Sequence, residues 1–471
     1  MPENRAQDLA LWSATELVDA YRRKAVSPVE ATEAALARIE RLDRQLNAFC
    51  VVDRDGALAA ARAAEARWQR DAPAGLVDGV PATVKDVLLT KGWPTLRGSR
   101  AVDPKQAWTE DSPAVARLRE HGAVLLGKTT TPEFGWKAIG DSPLTGITRN
   151  PWSLEHTPGG SSAGAAAATA VGMGALAIGT DGAGSIRIPS SFTGLFGLKP
   201  TFGRVPAYPP SVFGTVSHVG PMTRTVSDGA LMLTVLAGAD WRDSWALPPD
   251  DRDYRVDLED GVRGLKIGFS PDLGWIKVEP DVAAAVADAA RAFAALGATV
   301  DTVAPPFPSA HAAELVIWSA PAAKLVNDLD EAKRAVLDPG LVRMAAHGRR
   351  YSALELAAAD HARTMLGQSM AAFHQRYDLL VTPTLPVPAL PVGRDTLDPD
   401  PDALWLDWAP FTYPFNLTRQ PAATVPCGLT KNGLPIGLQI VGPLYAEPTV
   451  LRAARAFERT RPFPLCPMAT G

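Results

Sequence analysis

The stretch from Ala163 to Gly179, AGAAAATAVGMGALAIG, limits the fold more than any other segment of the chain. It is almost wholly alanine, glycine and aliphatic, so it offers water no polar face. Four glycines interrupt it and polar loops bracket it closely, which argues against a membrane-spanning helix. It reads instead as a buried helix running into a buried strand. Such a pair needs other layers on both sides, and 471 residues with 46% hydrophobic and 21% charged side chains can supply them.

The rest of the pattern agrees with an α/β chain. Ser13–Glu16 and Ser27–Glu30 match capping boxes, the second with Pro28 at the first helical position. VPATVKDVLL (Val80 to Leu89), Ala123 to Leu126, LKIGFS, ATVDTV, DLLVTPTLPVPALPV and LPIGLQIVG read as strands. Helices are expected over Ala57–Arg70, Ser112–His121, Asp281–Leu296 and Pro448–Thr460. The alternation between Trp241 and Pro308 suggests further layers on the same mixed sheet. The expected fold is therefore one large α/β unit, a mixed sheet with helices on both faces.

Composition excludes several functions. A formal net charge of -4 lacks the basic field a nucleic-acid binder needs. Cys50, Cys427 and Cys466 are few, odd in number and far apart, so no disulfide framework is expected. No CxxC or HExxH spacing occurs, so neither a metal nor a cofactor is expected. The N-terminus, MPENRAQDLALWS, has no apolar stretch of the secretory kind, and a cytoplasmic location is expected.

Two short motifs invite misreading. Gly122 to Thr129 matches GxxxxGK[ST], yet its middle residues, Ala-Val-Leu-Leu, favour a buried strand rather than a loop cradling phosphates. Gly160-Ser161-Ser162-Ala163-Gly164 matches the nucleophile elbow GxSxG. An elbow needs a strand before it, whereas NPWSLEHTP is loop-like. It also needs an acid and then a histidine downstream, and none of the seven histidines lies in an evident catalytic loop. An α/β-hydrolase-type esterase using Ser162 remains the alternative enzyme.

Three other pieces carry stronger chemistry: Lys85 in GVPATVKD, Ser161 and Ser162 in TPGGSSAGAAAATA, and Ser185 in GTDGAGSIRIPSS. Acyl transfer needs an activated nucleophile, a base and donors for an oxyanion. Gly182, Ala183 and Gly184 have little or no side chain, so their backbone N–H groups can converge on an oxyanion hole. Asp181 and Arg187 flank that loop and can pair to hold its shape. A lysine can act as base where burial, here among Val84, Val87 and Leu88, removes its charge. A serine between lysine and nucleophile can relay the proton.

Together these segments resemble the amidase signature family. GGSSAGAAAATA, then TDGAGSIRIPSSFTGLFGLKPTFGRVP, with GVPATVKD upstream, carry the likeness, and FNLTRQPAATVPCG and GLPIGLQIVG extend it. Ser161 precedes Ser185 by 24 residues, which agrees with the family spacing. The resemblance implies a Ser–cis-Ser–Lys triad: Ser185 as acylated nucleophile, Ser161 as bridging cis-serine, Lys85 as base and Ser162 as support. It implies that the Gly160–Ser161 peptide, or the next, is cis. It also implies a single amidase domain over residues 1–471, with a signature core at about 76–225 and a variable, substrate-side region at about 240–410.

The implied activity is hydrolysis of a carbon–nitrogen bond in an amide, anilide or carbamate (urethane), with ester cleavage chemically open. The implied partner is a small-molecule amide or carbamate, with no nucleic acid and no membrane; a homodimer stays open. A transamidosome A-type chain, which needs partner chains, is a second family role. A scaffold that kept only the fold would usually have lost one of the three residues, and all three are present. Two positions depart from the family pattern. Ala183 replaces a usual glycine and is expected to narrow the oxyanion loop, and Arg419 replaces another and is expected at the surface. Trp275, Trp318, Trp405, Trp408, Phe411, Tyr413 and Phe415 are candidates for an apolar pocket or for core.

Overall fold

The computed structural model describes residues 8–304, 307–397 and 403–470; the first seven residues of the N-terminal reading lie outside it. In chain order its strands are β1 (Phe49–Val52), β2 (Pro81–Lys85), β3 (Val124–Thr129), β4 (Asp141–Ser142), β5 (Gly146–Ile147), β6 (Leu176–Asp181), β7 (Phe196–Lys199), β8 (His218–Thr223), β9 (Lys266–Phe269), β10 (Thr299–Thr302), β11 (Leu379–Pro383), β12 (Ala422–Leu429) and β13 (Pro435–Val441). β4 and β5 pair only with each other. The others form one sheet in the order β1-β3-β2-β6-β8-β7-β12-β13-β11-β9-β10. β2 runs parallel to β3 and β6, and β9 runs parallel to β10 and β11, while the strands between are antiparallel. The sheet is therefore mixed, and the strands from the variable region at about 240–410 join its edge as expected.

Strand periodicity divides the core between the two faces. Ala82 and Val84 of β2 and Leu176 and Ile178 of β6 pack in one cluster with Leu231, Val286 and Phe457. Those three lie on the helices Val226–Leu236, Pro280–Ala295 and Glu447–Thr460. Val124 and Leu126 of β3 and Ala177 of β6 pack on the opposite face with Leu36 and Ala166, from the helices Pro28–Leu46 and Ala163–Ala170. Lys85 follows Val84 and so projects to this second face. Both N-terminal capping boxes form. No described helix is long and apolar enough to cross a membrane.

The small-residue segment becomes the helix Ala163–Ala170, all eight residues buried, followed by β6. Its composition has a steric reason. A Cβ on Gly164 would lie 2.2 Å from the Ala48 carbonyl oxygen and 2.5 Å from the Thr130 nitrogen. The helix therefore lies against the backbone at the β1–β3 edge, and its first turn brings Ser161 and Ser162 onto the sheet. The GxxxxGK[ST] match is a turn at Gly122 after the helix Pro113–Glu120 and then β3, which bulges near Leu126 and extends to Thr129, past the expected end at Leu126.

A pair of glycine substitutions tests this packing. Gly164→Ala is expected to destabilise the fold by about 1–3 kcal/mol through overpacking. Gly367→Ala lies in the helix Ala353–Phe373, where nothing occupies the space of a new Cβ. It is expected to stabilise by up to about 1 kcal/mol through helix propensity. Urea unfolding of the two variants checks the opposite signs.

Candidate active site

β2 and β6 are parallel neighbours, with Val84 opposite Ile178, so Lys85 and Thr180 emerge together at their carboxyl ends. That edge of an α/β sheet is where ligand crevices form. The Lys85 Nζ lies 2.6 Å from Ser161 Oγ and donates to Thr180 Oγ1 at 2.8 Å. The side chain is fully buried. Burial drives the amine's pKa well below the ordinary lysine value, and the charge of Asp181 opposes this only in part. Thr180 lies within the GTDGAGSIRIPSS segment, and its contact with Lys85 comes from its place on the neighbouring strand.

Two other buried lysines show why contact, not burial, singles out Lys85. Lys128 lies 3.1 Å from Asp86 and donates to Thr95 Oγ1 and the Leu88 carbonyl. It thus takes the acid that the sequence placed beside Lys85. Lys199 donates to the Gln420 carbonyl and approaches His218. Neither touches a serine of the GGSS or GAGS segments.

The Gly160–Ser161 peptide is cis. Ser161 and Ser185 line one cavity with Gly182, Phe134, Tyr208, Phe213 and Trp318. The Ser162 N–H donates to the Ser185 carbonyl at 3.2 Å, which ties the two serine segments together. The Ser185 hydroxyl makes no protein hydrogen bond among the described residues, and Ser185 is 4% exposed. Ser162 differs. Its hydroxyl donates to the Thr180 carbonyl and accepts from the Thr180 N–H, both at 3.2 Å, and it is fully buried. No strand immediately precedes it. The elbow reading, with Ser162 as nucleophile, therefore fails on geometry.

The loop after β6 is held by a charge knot. Asp181 and Arg187 are both fully buried and paired at 2.9 Å. All three guanidinium nitrogens donate, to Asp181, Asn416, Gln439 and the Thr412 carbonyl. Asp181 also accepts from the N–H groups of Gly184 and Ile186 and from Asn416. Burial alone would raise its pKa, but the Arg187 charge and hydrogen bonds, with Lys199 and Asn416, hold it far below the usual carboxylate range.

This knot corrects one expected oxyanion donor. The Gly184 N–H is committed to Asp181 Oδ1 at 2.7 Å. No turn or loop hydrogen bond among the described residues consumes the N–H groups of Gly182, Ala183 or Ser185. Sterics also explain the Gly-Ala-Gly order. A Cβ on Gly182 would lie 2.9 Å from the Trp318 ring; Gly184 has φ +137 and its Cβ would lie 2.5 Å from Thr412 Oγ1. Ala183 has room for its methyl in the core, and its carbonyl accepts from Thr412 at 2.6 Å. It does not narrow the loop.

Other expectations change. Arg419 is not a surface residue: it is half-buried at φ +64, a region that favours glycine, and its guanidinium stacks over Phe202 and Trp245. It does not line the cavity of the serines. Trp405, Trp408, Phe411, Tyr413 and Phe415 are core, fully or almost fully buried and away from that cavity. Trp275 is partly exposed and packs on Phe307. Of the named aromatics only Trp318 reaches the cavity, stacked on Phe213 with ring centroids 3.9 Å apart. Phe134, Tyr208, Phe213 and Arg97 also line it, and no chemical motif in the sequence marks them.

A family profile described as Amidase matches residues 30–451. The A chain of the glutamyl-tRNA(Gln) amidotransferase of Myxococcus xanthus (strain DK1622) is 39% identical, the match covering 93% of this chain and 94% of that protein. An acylamidase of Rhodococcus erythropolis is 37% identical, with 97% of each covered. The crystal structure of a bacterial aryl acylamidase belonging to the amidase signature enzymes superposes with a TM-score of 0.91. It shares 33% identity, and the match covers 98% of both chains.

Breaking the charge knot has a predictable cost. Arg187→Met leaves the buried Asp181 carboxylate without its main partner and is expected to destabilise the fold by about 3–5 kcal/mol. The double variant Asp181→Asn/Arg187→Met should lose less than the sum of the single losses, because the two groups act as one unit. Equilibrium urea unfolding of the double variant and both single variants measures both effects.

Proposed function

Because the chain belongs to the amidase family, we propose that it hydrolyses the carbon–nitrogen bond of small apolar or aromatic amides, anilides or carbamates through an acyl-enzyme on Ser185. Lys85 is the base, Ser161 the relay, and Ser162 the clamp holding the relay segment against β6. The observation that carries this reading is the approach of a fully buried Lys85 amine to within 2.6 Å of Ser161 Oγ. An uncharged amine has a lone pair to accept a proton; an ammonium has none.

In the proposed reaction Lys85 takes the Ser161 proton while Ser161 takes that of Ser185, and the Ser185 oxygen attacks the carbonyl carbon. The carbonyl oxygen gathers negative charge against the free N–H groups of Gly182, Ala183 and Ser185. The relay then runs backwards. Ser161 protonates the departing nitrogen, the C–N bond breaks, and the acyl group remains on Ser185. Water, deprotonated by the same route, releases the acid or, from a carbamate, the carbonic half-ester. The Ser161–Ser185 link is made as the reacting complex tightens. Asp181 and Arg187 shape the oxyanion loop. The reading treats residues 1–471 as one amidase domain, with β9 and β10 of the variable region on the common sheet. Three unbridged cysteines support a reducing, cytoplasmic setting.

A second reading has its own support in the 39% identity with the amidotransferase chain. Free glutamine carries an ammonium group, however, and no Asp or Glu is among the described residues lining the cavity. Aromatic walls favour a flat or apolar substrate.

Ser185→Ala is expected to lower kcat/KM by about 10⁴-fold or more, and Lys85→Ala by about 10²–10⁴-fold. A fluorophosphonate should add its mass to the Ser185 peptide; an adduct on Ser162, or none, would sink the assignment. Since the base is the neutral amine, kcat/KM should fall as pH drops through the depressed Lys85 pKa and should stay flat above it. Aryl amides or carbamates should exceed glutamine in kcat/KM by roughly 100-fold, and the reverse order would favour the amidotransferase reading.

A further inference from the structure

Among the described residues one charged side chain lines the cavity that holds Ser161 and Ser185, and it is Arg97. The described remainder of the lining is apolar, aromatic, hydroxyl or glycine. Arg97 stands on the loop that leaves β2 after Lys85. Its guanidinium has no hydrogen bond or ion pair among the described residues, although it is half-buried. The nearest acid, Asp86, is already committed: its carboxylate lies 3.1 Å from Lys128 Nζ and accepts the backbone N–H groups of Arg97 and Gly98.

The backbone that carries this cation is pinned. Arg97 has φ +56 and Gly98 φ +65, so two successive residues are left-handed. The Arg97 carbonyl accepts from the Phe134 N–H at 2.7 Å, and Phe134 is itself a wall of the cavity. A Cβ on Gly98 would lie 2.4 Å from the Thr131 carbonyl oxygen, so the turn is packed closely against that backbone. A fixed backbone, an unspent guanidinium and partial removal from water make a ready site for an anion. Coulomb attraction strengthens as water is excluded, and the guanidinium fork matches a carboxylate's two oxygens.

We propose that Arg97 determines specificity by pairing with an anionic group on the substrate, so that the preferred substrates are aromatic amides or carbamates carrying a carboxylate or similar oxyanion. The aromatic walls of Phe134, Tyr208, Phe213 and Trp318 take the ring, and Arg97 takes the charge. This rests on the amidase reading above.

The test compares kcat/KM within two substrate series. In one, 4-acetamidobenzoate is set against its uncharged carboxamide and against 4-acetamidobenzylamine, a cation. In the other, N-phenylsuccinamate, with its carboxylate on the acyl side, is set against N-phenylbutanamide. The wild-type enzyme should favour the anion by roughly tenfold or more in at least one series, the worth of one charge-assisted hydrogen bond, mainly through KM. Arg97→Gln should lower that ratio to near one, Arg97→Lys should keep part of it, and Arg97→Glu should turn it toward the cation. Thermal unfolding monitors folding of each variant. No anion preference in either series, or an equal loss for anion and neutral analogue in Arg97→Gln, overturns the proposal. An enzyme that takes the fluorophosphonate on Ser185 but cleaves none of these compounds overturns the substrate class alone. One that does neither overturns the amidase reading with it.

Discussion

A primary amine packed dry against a serine hydroxyl is the contact on which the rest of this molecule depends. It requires that Lys85 leave the sheet on the face opposite Val84, that β2 and β6 run parallel and end together, and that the Gly160–Ser161 segment reach back over their ends. The alanine-rich helix after Ser162 meets the last requirement, because larger side chains would hold it away from β1 and β3. Thr180 fixes the amine from the side. The fold and the proposed chemistry are thus linked through sterics before electrostatics enters.

Electrostatics then acts in opposite senses in neighbouring parts of the site. Asp181 remains ionised in the interior because Arg187, Asn416 and backbone N–H groups surround it. Among the described residues Lys85 has no partnering carboxylate, only hydroxyls, and so burial wins and its pKa falls well below the ordinary lysine value. The Asp181–Arg187 knot also reaches Thr412, Asn416 and Gln439, which fixes the loop of Gly182 to Ser185 against the C-terminal strands. Residues far apart in sequence thereby set the direction of the free N–H groups.

Much of this was legible in the sequence. The short-period strands, the capping boxes and the small-residue helix follow from local rules, and the Gly-Ala-Gly run signalled a loop with free N–H groups, that of Gly184 excepted. What was not legible is tertiary. One exception is local: the Gly184 N–H turns to Asp181, three residues earlier, a bond that Asp side chains commonly make in turns. The helix His311–Asn327, which presents Trp318 to the cavity, carries Pro321 in its interior, where a proline ordinarily argues against helix. The aromatics from Trp405 to Phe415 look equally like pocket or core until packing, such as Trp408 on Phe192, decides. Arg419 shows the same limit, since its stacking partners Phe202 and Trp245 are remote in sequence.

The protonation state of Lys85 is the quantity on which the account turns. Nitrogen-15 NMR of lysine-labelled protein, with Lys85→Arg used to assign the resonance, reads it directly. At neutral pH the Lys85 Nζ should show the shift of a neutral amine while the surface lysines show that of ammonium. An ammonium signal for Lys85 at that pH would contradict the account, because a protonated amine cannot draw the proton from Ser161.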